Sequence, residues 1–208
     1  MTHLQLNEYQ RQALDKLSIE SLTLMQEKAL QAARDRDNVI LLSPTGTGKT
    51  LAYLLPLIER LKQGVAGVQA MVIVPSRELA LQIEGVMKAM SLPWKAMSVY
   101  GGRAAMDEHR TMKGLQPAII IGTPGRLNDH LTKGNIDAST IQSLVIDEFD
   151  KWQDEFPEEL WRLDIQRKYI RTYTSSFIGE EGDDWFLRNV DDELVMHYAK
   201  DIKCRIID

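Results

Sequence analysis

The sequence predicts an α/β fold in which a parallel sheet is covered by helices on both faces. Three observations carry that expectation. Apolar runs of strand length recur at 39–42, 70–74, 96–100, 118–121 and 144–146, near-continuous rather than alternating, as strands buried on both faces require. Segments with helical spacing of their apolar residues separate these runs, the order that builds βαβ units. Between the first run and the helical segment after it stands Ser43-Pro44-Thr45-Gly46-Thr47-Gly48-Lys49-Thr50, a glycine loop of the kind that joins strand to helix around a phosphate.

Length and composition set the frame. With 208 residues, 44% hydrophobic and 26% charged, the chain fits one ordinary globular domain spanning 1–208 that can bury a full core. No apolar run approaches the roughly 20 residues of a membrane span, and Met1-Thr2-His3-Leu4-Gln5 lacks a signal pattern, so a cytoplasmic protein without membrane contact is expected. The single cysteine, Cys204, has no internal disulfide partner and reads as a buried, inert thiol. His3, His109, His130 and His197 lack ligand spacing, so they read as structural or solvated rather than metal-binding. Charge is divided unevenly. Residues 1–146 hold 16 basic and 13 acidic side chains against 9 and 17 in 147–208, which puts any nucleic-acid surface on the first part.

Before the first strand, Tyr9, Ala13, Leu14 and Leu17 recur at helical spacing, as do Met25, Ala29, Leu30 and Ala33, giving two short helices within about 7–34. Thr23 is the expected N-cap of the second. Gln26 then lies in its first turn, and a glutamine amide both donates and accepts, which is what reading an adenine edge requires. A solvated helix glutamine is the plain alternative.

In the loop itself, glycines at 46 and 48 let backbone N–H groups turn inward toward phosphate oxygens at the positive end of the following helix. Lys49 is expected to reach the β- and γ-phosphates of a nucleotide and Thr50 to place its hydroxyl on the accompanying Mg2+. Ser43 occupies the first position of the pattern, where glycine is usual. Later motifs follow the later strands. Asp147-Glu148 ends a buried strand, where Asp147 can hold the metal and Glu148 can orient an attacking water. Arg77, Arg103 and Arg126 each follow a strand beside small or hydroxyl residues and together could track a sugar-phosphate backbone.

These motifs, in this order, resemble the first RecA-like domain of DEAD-box RNA helicases, a P-loop NTPase fold, over about Tyr9 to Asp150. Tyr9 stands where the family has an aromatic upstream of its Q motif, Gln26 matches the adenine-reading glutamine, and 43–50 match motif I. Pro75-Ser76-Arg77-Glu78-Leu79-Ala80 resembles Pro-Thr-Arg-Glu-Leu-Ala, Gly101-Gly102 the glycine pair, and Thr123-Pro124-Gly125-Arg126 the Thr-Pro-Gly-Arg segment. Asp147 to Asp150 is similar to motif II with Phe149 in place of alanine, and Leu22 replaces the usual proline ahead of Gln26. The resemblance implies that Tyr9, Gln26 and 43–50 hold ATP, that Lys49, Asp147 and Glu148 serve hydrolysis, and that Thr50 and Asp147 meet Mg2+. It implies single-stranded RNA at Pro75, Arg77, Gly101, Gly102, Arg103, Thr123, Gly125 and Arg126.

The tail, about 151–208, departs from the family. Ser-Ala-Thr is absent, the nearest candidate being Thr174-Ser175-Ser176 after the strand-like 169–173, and Trp152, Trp161 and the acidic run 179–184 are unlike it. A helix and a final strand are expected within 191–207. A second RecA-like domain with arginine fingers does not fit in 208 residues, so the expected function is the ATP-binding half of an RNA helicase. The alternative is a nucleotide-dependent RNA- or protein-binding module without turnover. A signalling GTPase lacks its Asn-Lys-x-Asp stretch here.

Overall fold

The computed structural model describes residues 4–35, 38–43, 46–148, 170–175 and 186–189. Two helices come first, α1 (Glu8–Lys16) and α2 (Leu24–Asp35), then β1 (Asn38–Leu42) and α3 (Lys49–Arg60). β2 (Ala70–Ile73), α4 (Arg77–Ala89), β3 (Ala96–Val99), α5 (Ala105–Leu115), β4 (Ile119–Gly122) and α6 (Pro124–Thr132) follow in strict alternation. A 3-10 turn at Ala138–Thr140 leads into β5 (Ser143–Ile146), and β6 (Ile170–Ser175) and β7 (Phe186–Asn189) complete the sheet.

Strand order is β3-β4-β2-β5-β6-β1-β7. All pairings are parallel except β1 with β7, so the predicted parallel sheet carries one antiparallel edge strand that the sequence analysis did not anticipate. Four residues after an acidic run give too short a period to stand out, and mixed edges of this kind are common. The strand expected at 169–173 lies at 170–175. Thr174 and Ser175 are therefore strand residues paired with Leu41 and Leu42, not a loop beyond the strand. Ser176, Phe149, Asp150, Trp152, Trp161, the 179–184 run, the helix and strand expected in 191–207, His3, His197 and Cys204 lie outside the described residues.

Every residue of β2, β3, β4 and β5 is buried. Because neighbouring strand residues point to opposite faces, both faces of this part of the sheet are covered. One face carries the main core, in which Val72, Ile121 and Val145 meet Leu54 and Ile58 of α3 and Ile83 of α4. A smaller cluster of Met25, Ala29, Leu41 and Ala52 joins α2, β1 and α3 beneath the glycine loop.

Capping fixes where the first two helices begin. Asn7 and Gln10 form a reciprocal capping box at α1, and Thr23 and Gln26 do the same at α2, with Gln26 N to Thr23 Oγ1 at 3.3 Å and Thr23 N to Gln26 Oε1 at 2.9 Å. Both helices are then fastened to α3. Gln10 Nε2 donates to Leu55 O at 3.0 Å and to Glu59, and Arg34 pairs with Glu59 at 3.0 Å. That fastening holds Gln26 above the start of α3.

Candidate functional site

Strands β1, β2, β3, β4 and β5 run parallel, so their carboxyl ends share one edge of the sheet, and the glycine loop, the three arginine segments and Asp147-Glu148 each follow one of those ends. The motifs separate into two groups: a cleft beside β1 and β5, and a surface beyond β2, β3 and β4.

Gly48 caps α3 with φ 91, in the left-handed region, and no side chain caps the first turn. The first-turn N–H groups are therefore left to backbone and ligand acceptors, and no acidic side chain in that turn opposes an anion. A Cβ at Gly48 would stand 2.5 Å from Gln26 Nε2, so only glycine permits this approach. Gln26 Nε2 donates to Gly48 O at 3.3 Å while Oε1 accepts from Thr23 N. Each amide group thus spends one of its two hydrogen-bonding positions on the protein, leaving one donor and one lone pair for an adenine edge. Lys49 Nζ donates to Ser43 O at 2.5 Å, across the root of the loop, and Ser43 Oγ lies 2.5 Å from Thr47 Oγ1. Pro44 and Thr45 fall outside the described residues.

Opposite the loop, Asp147 and Glu148 leave β5. Asp147 is buried, its N–H donates to Ile73 O at 2.9 Å, and its Oδ2 accepts from Tyr53 Oη at 3.1 Å. Burial first, and the charge of Asp147 next, push the Tyr53 phenol well above its ordinary value, so it stays protonated and donates. Glu148 has φ 53, a left-handed conformation that costs a side-chain-bearing residue about 1–2 kcal/mol. Sequence reasoning missed Tyr53. Its signal was a tyrosine one helical turn after Lys49, on the side that must face the sheet.

Gln26, Gly46, Gly48, Lys49, Thr50, Asp147 and Glu148 line one cleft of about 560 Å³, within the range that holds a nucleotide-sized ligand. Its wall continues over Leu17, Ile19, Leu79 and Val86. Tyr9 is not among the residues that line it. Its ring packs edge-on against Trp94 with centroids 4.7 Å apart, and its hydroxyl accepts from Gln63 Nε2 at 2.6 Å. Tyr9 is a core-edge residue fixing α1.

Whether the cleft suits a magnesium ion can be judged from its donors. Among the described residues there is no group of three or more histidine, cysteine or acidic side chains able to hold a metal alone. One hydroxyl, Thr50, and two carboxylates, Asp147 and Glu148, share the cleft, the sparse set expected for an ion that keeps its waters and arrives on a polyphosphate. The donors fit.

The second group is built differently. Pro75, half-buried, leads into α4, whose N-cap Ser76 accepts from Leu79 N at 3.2 Å. Arg77, Gly101, Gly102, Arg103 and Gly125 are exposed, and Thr123 is half-buried at the start of α6. Arg77 and Arg103 both lie against the ring of Tyr100, their guanidinium carbons 4.9 and 4.8 Å from its centroid. Arg126 does not share their exposure. Its Nε pairs with Glu108 at 3.2 Å and donates to Tyr100 O at 3.3 Å, another nitrogen donates to Arg103 O, and Asp129 stands at 3.6 Å. Its guanidinium is turned into the protein, where it braces the turn that follows β3.

Glu108, 3% exposed, also faces buried His130 Nε2 at 3.0 Å, whose Nδ1 meets Asn135 at 3.1 Å. His130 is structural, as the sequence suggested. Glu108 was missed although it shares a helical face with Met112, an apolar position where a carboxylate needs a buried partner.

Comparison with known proteins agrees with this arrangement. The family model described as DEAD/DEAH box helicase matches residues 23–175. The chain is 34% identical over 141 residues to the ATP-dependent RNA helicase CshA of Listeria monocytogenes, covering 67% of this chain and 27% of that protein. It is 35% identical over 143 residues to the ATP-dependent RNA helicase DeaD of Escherichia coli K12, covering 67% of this chain and 23% of that protein. The chain therefore spans less than a third of the length of these relatives. Among solved structures, the DEAD-box helicase Mss116 bound to ssRNA and UDP-BeF superposes with TM-score 0.72 at 28% identity, covering 85% of this chain and 40% of that one. A DEAD box protein from Methanococcus jannaschii gives 0.74 at 26%, covering 87% and 51%.

Proposed function

This chain belongs to the DEAD/DEAH box helicase family, and from that premise we propose that it is the ATP-binding RecA-like unit of an ATP-dependent RNA helicase. The observation that carries the proposal is the meeting of Gln26, the glycine loop, Lys49, Thr50, Asp147 and Glu148 in one cleft. In this reading, the loop backbone and Lys49 hold the β- and γ-phosphates and the remaining hydrogen-bonding positions of Gln26 select adenine. Thr50 and Asp147 would be the protein-side donors to magnesium arriving with the nucleotide, an ion that would offset part of the phosphate charge. Glu148 orients the attacking water. Tyr53 keeps the Asp147 carboxylate aimed through its hydrogen bond. Single-stranded RNA lies along the exposed edge formed by Pro75, Arg77, Gly101, Gly102, Arg103, Thr123 and Gly125, held by its phosphates without base readout.

Turnover in this reading needs a second RecA-like domain to supply positive charge against the phosphoryl charge that Lys49 alone does not offset. CshA and DeaD are ATP-dependent RNA helicases, and Mss116 is bound to single-stranded RNA, which supports both ligands. Calorimetry with ATP-Mg and GTP-Mg tests the nucleotide. The expected result is preference for ATP and a loss of binding of about tenfold or more in Lys49→Ala, the scale of one charge-assisted contact. Equal affinity for both nucleotides would remove the role of Gln26, and unchanged affinity in Lys49→Ala the role of the loop.

A further inference from the structure

Three arginines at or beside the proposed RNA edge converge on one residue. Arg77 and Arg103 lie against the Tyr100 ring at 4.9 and 4.8 Å, and Arg126 reaches the Tyr100 carbonyl at 3.3 Å. Tyr100 N donates to Glu108 Oε1 at 3.3 Å, so the carboxylate that anchors Arg126 also anchors the ring's own backbone. Tyr100 is itself fully buried and follows β3 directly. Its hydroxyl is buried without a hydrogen-bond partner among the described residues. Such an orphaned hydroxyl disfavours the fold, so hydrogen bonding does not explain why the ring is tyrosine.

We propose that Tyr100 is a positioning residue for nucleic-acid binding, its ring holding Arg77 and Arg103 ready as a two-guanidinium clamp for backbone phosphate. The proposal rests on the RNA reading above and adds the residue that organises it. Two exposed arginines near one another repel and sample many rotamers, and both costs fall on the first phosphate that must gather them. An aromatic face offsets the repulsion through its quadrupole and removes rotamer freedom before ligand arrives. Gly102, at φ 94, turns the chain between ring and Arg103 so that the side chain can fold back over Tyr100. Arg126 and Glu108 fix the backbone of the same turn from beneath.

The predicted signature is dependence on the ring and indifference to the hydroxyl. Single-stranded oligouridylate is titrated at low salt against the wild-type chain, Tyr100→Phe and Tyr100→Leu, with ATP-Mg affinity of each as the control for folding. Tyr100→Phe should bind RNA as the wild type does and melt no lower. Tyr100→Leu should bind RNA about tenfold more weakly, the combined scale of two cation–π contacts, with ATP affinity unchanged. Should Tyr100→Leu fail to fold, Tyr100→Met supplies the bulk without the ring. In parallel, NMR shifts of the arginine δ-protons report the stacking without RNA: ring-current displacement is expected in wild type and Tyr100→Phe and not in Tyr100→Leu. Equal RNA affinity in the ringless variants, or a loss in Tyr100→Phe as large as in Tyr100→Leu, overturns the proposal. No RNA binding by the wild type despite displaced δ-protons overturns the RNA reading and the clamp's function with it, leaving the stacking as a structural fact alone.

Discussion

The cleft beside β1 and β5 and the arginine edge beyond β2, β3 and β4 occupy the same rim of one sheet, yet they are held by different means. In the cleft, the determining features are backbone: Gly48 at φ 91, an uncapped helix start, and Glu148 at φ 53. At the arginine edge, they are side chains from separate segments, Glu108 on α5 and Tyr100 after β3, which fix Arg77 at the start of α4, Arg103 after β3 and Arg126 in α6. Geometry set by the backbone is local and survives loss of a distant contact. Geometry set by side chains from separate segments depends on whatever ties them together.

The largest stability effect should therefore come from the edge. Glu108→Ala leaves Arg126 without its buried counter-charge and His130 without its carboxylate, and should cost about 3 kcal/mol in chemical unfolding. RNA affinity should fall with it, and ATP affinity in the remaining folded protein should not. An equal loss of both ligands would erase the distinction between the two regions.

Gly48→Ala is the matching change in the cleft. A methyl group there meets Gln26 Nε2 at 2.5 Å, on a residue already at φ 91. The expected cost is about 1–2 kcal/mol in unfolding, from the left-handed conformation, together with weaker ATP and unaltered RNA binding. Retained ATP affinity would mean that the approach of Gln26 to the loop is incidental.

A smaller effect tests the support behind the cleft and depends on pH. Because the Tyr53 phenol is raised above its ordinary value near 10 in the folded chain, the unfolded chain releases that proton first as pH rises. Stability from this group is complete below about pH 9 and is lost as pH climbs beyond 10 toward the folded value. Tyr53→Phe should unfold more easily by about 1 kcal/mol at neutral pH, through the lost bond to Asp147, and should lose less stability than the wild type between about pH 9 and 11. Parallel pH curves for the two proteins would remove Tyr53 as the group responsible.

The same contrast explains what could be read in the sequence. The loop 43–50 and Asp147-Glu148 were legible because backbone turns, a phosphate cradle and a strand-end carboxylate pair each demand particular residues at fixed spacing. Strands β2, β3, β4 and β5 were legible because burial on both faces makes them continuously apolar. Tyr100, Glu108 and Tyr53 were not, since each acts through a partner distant along the chain: Arg77, Arg126 and Asp147 respectively. The packing of Tyr9 was illegible for the same reason, since Trp94 and Gln63 set where it lies. β7 escaped notice because its place depends on pairing with β1 rather than on any period of its own.

The account's central claim is that this chain carries the ATP-binding half of a helicase and requires a second RecA-like domain for turnover. Steady-state phosphate release with ATP-Mg and single-stranded RNA tests it most directly, comparing residues 1–208 alone, the same chain joined covalently to a matching second domain, and that joined protein with Glu148→Gln. Turnover near background is expected alone, with an increase of about a thousandfold or more on joining, the scale of a supplied arginine finger. Glu148→Gln should abolish that increase while ATP remains bound. Brisk RNA-stimulated turnover by residues 1–208 alone, or a joined protein no faster than the isolated chain, would contradict the account.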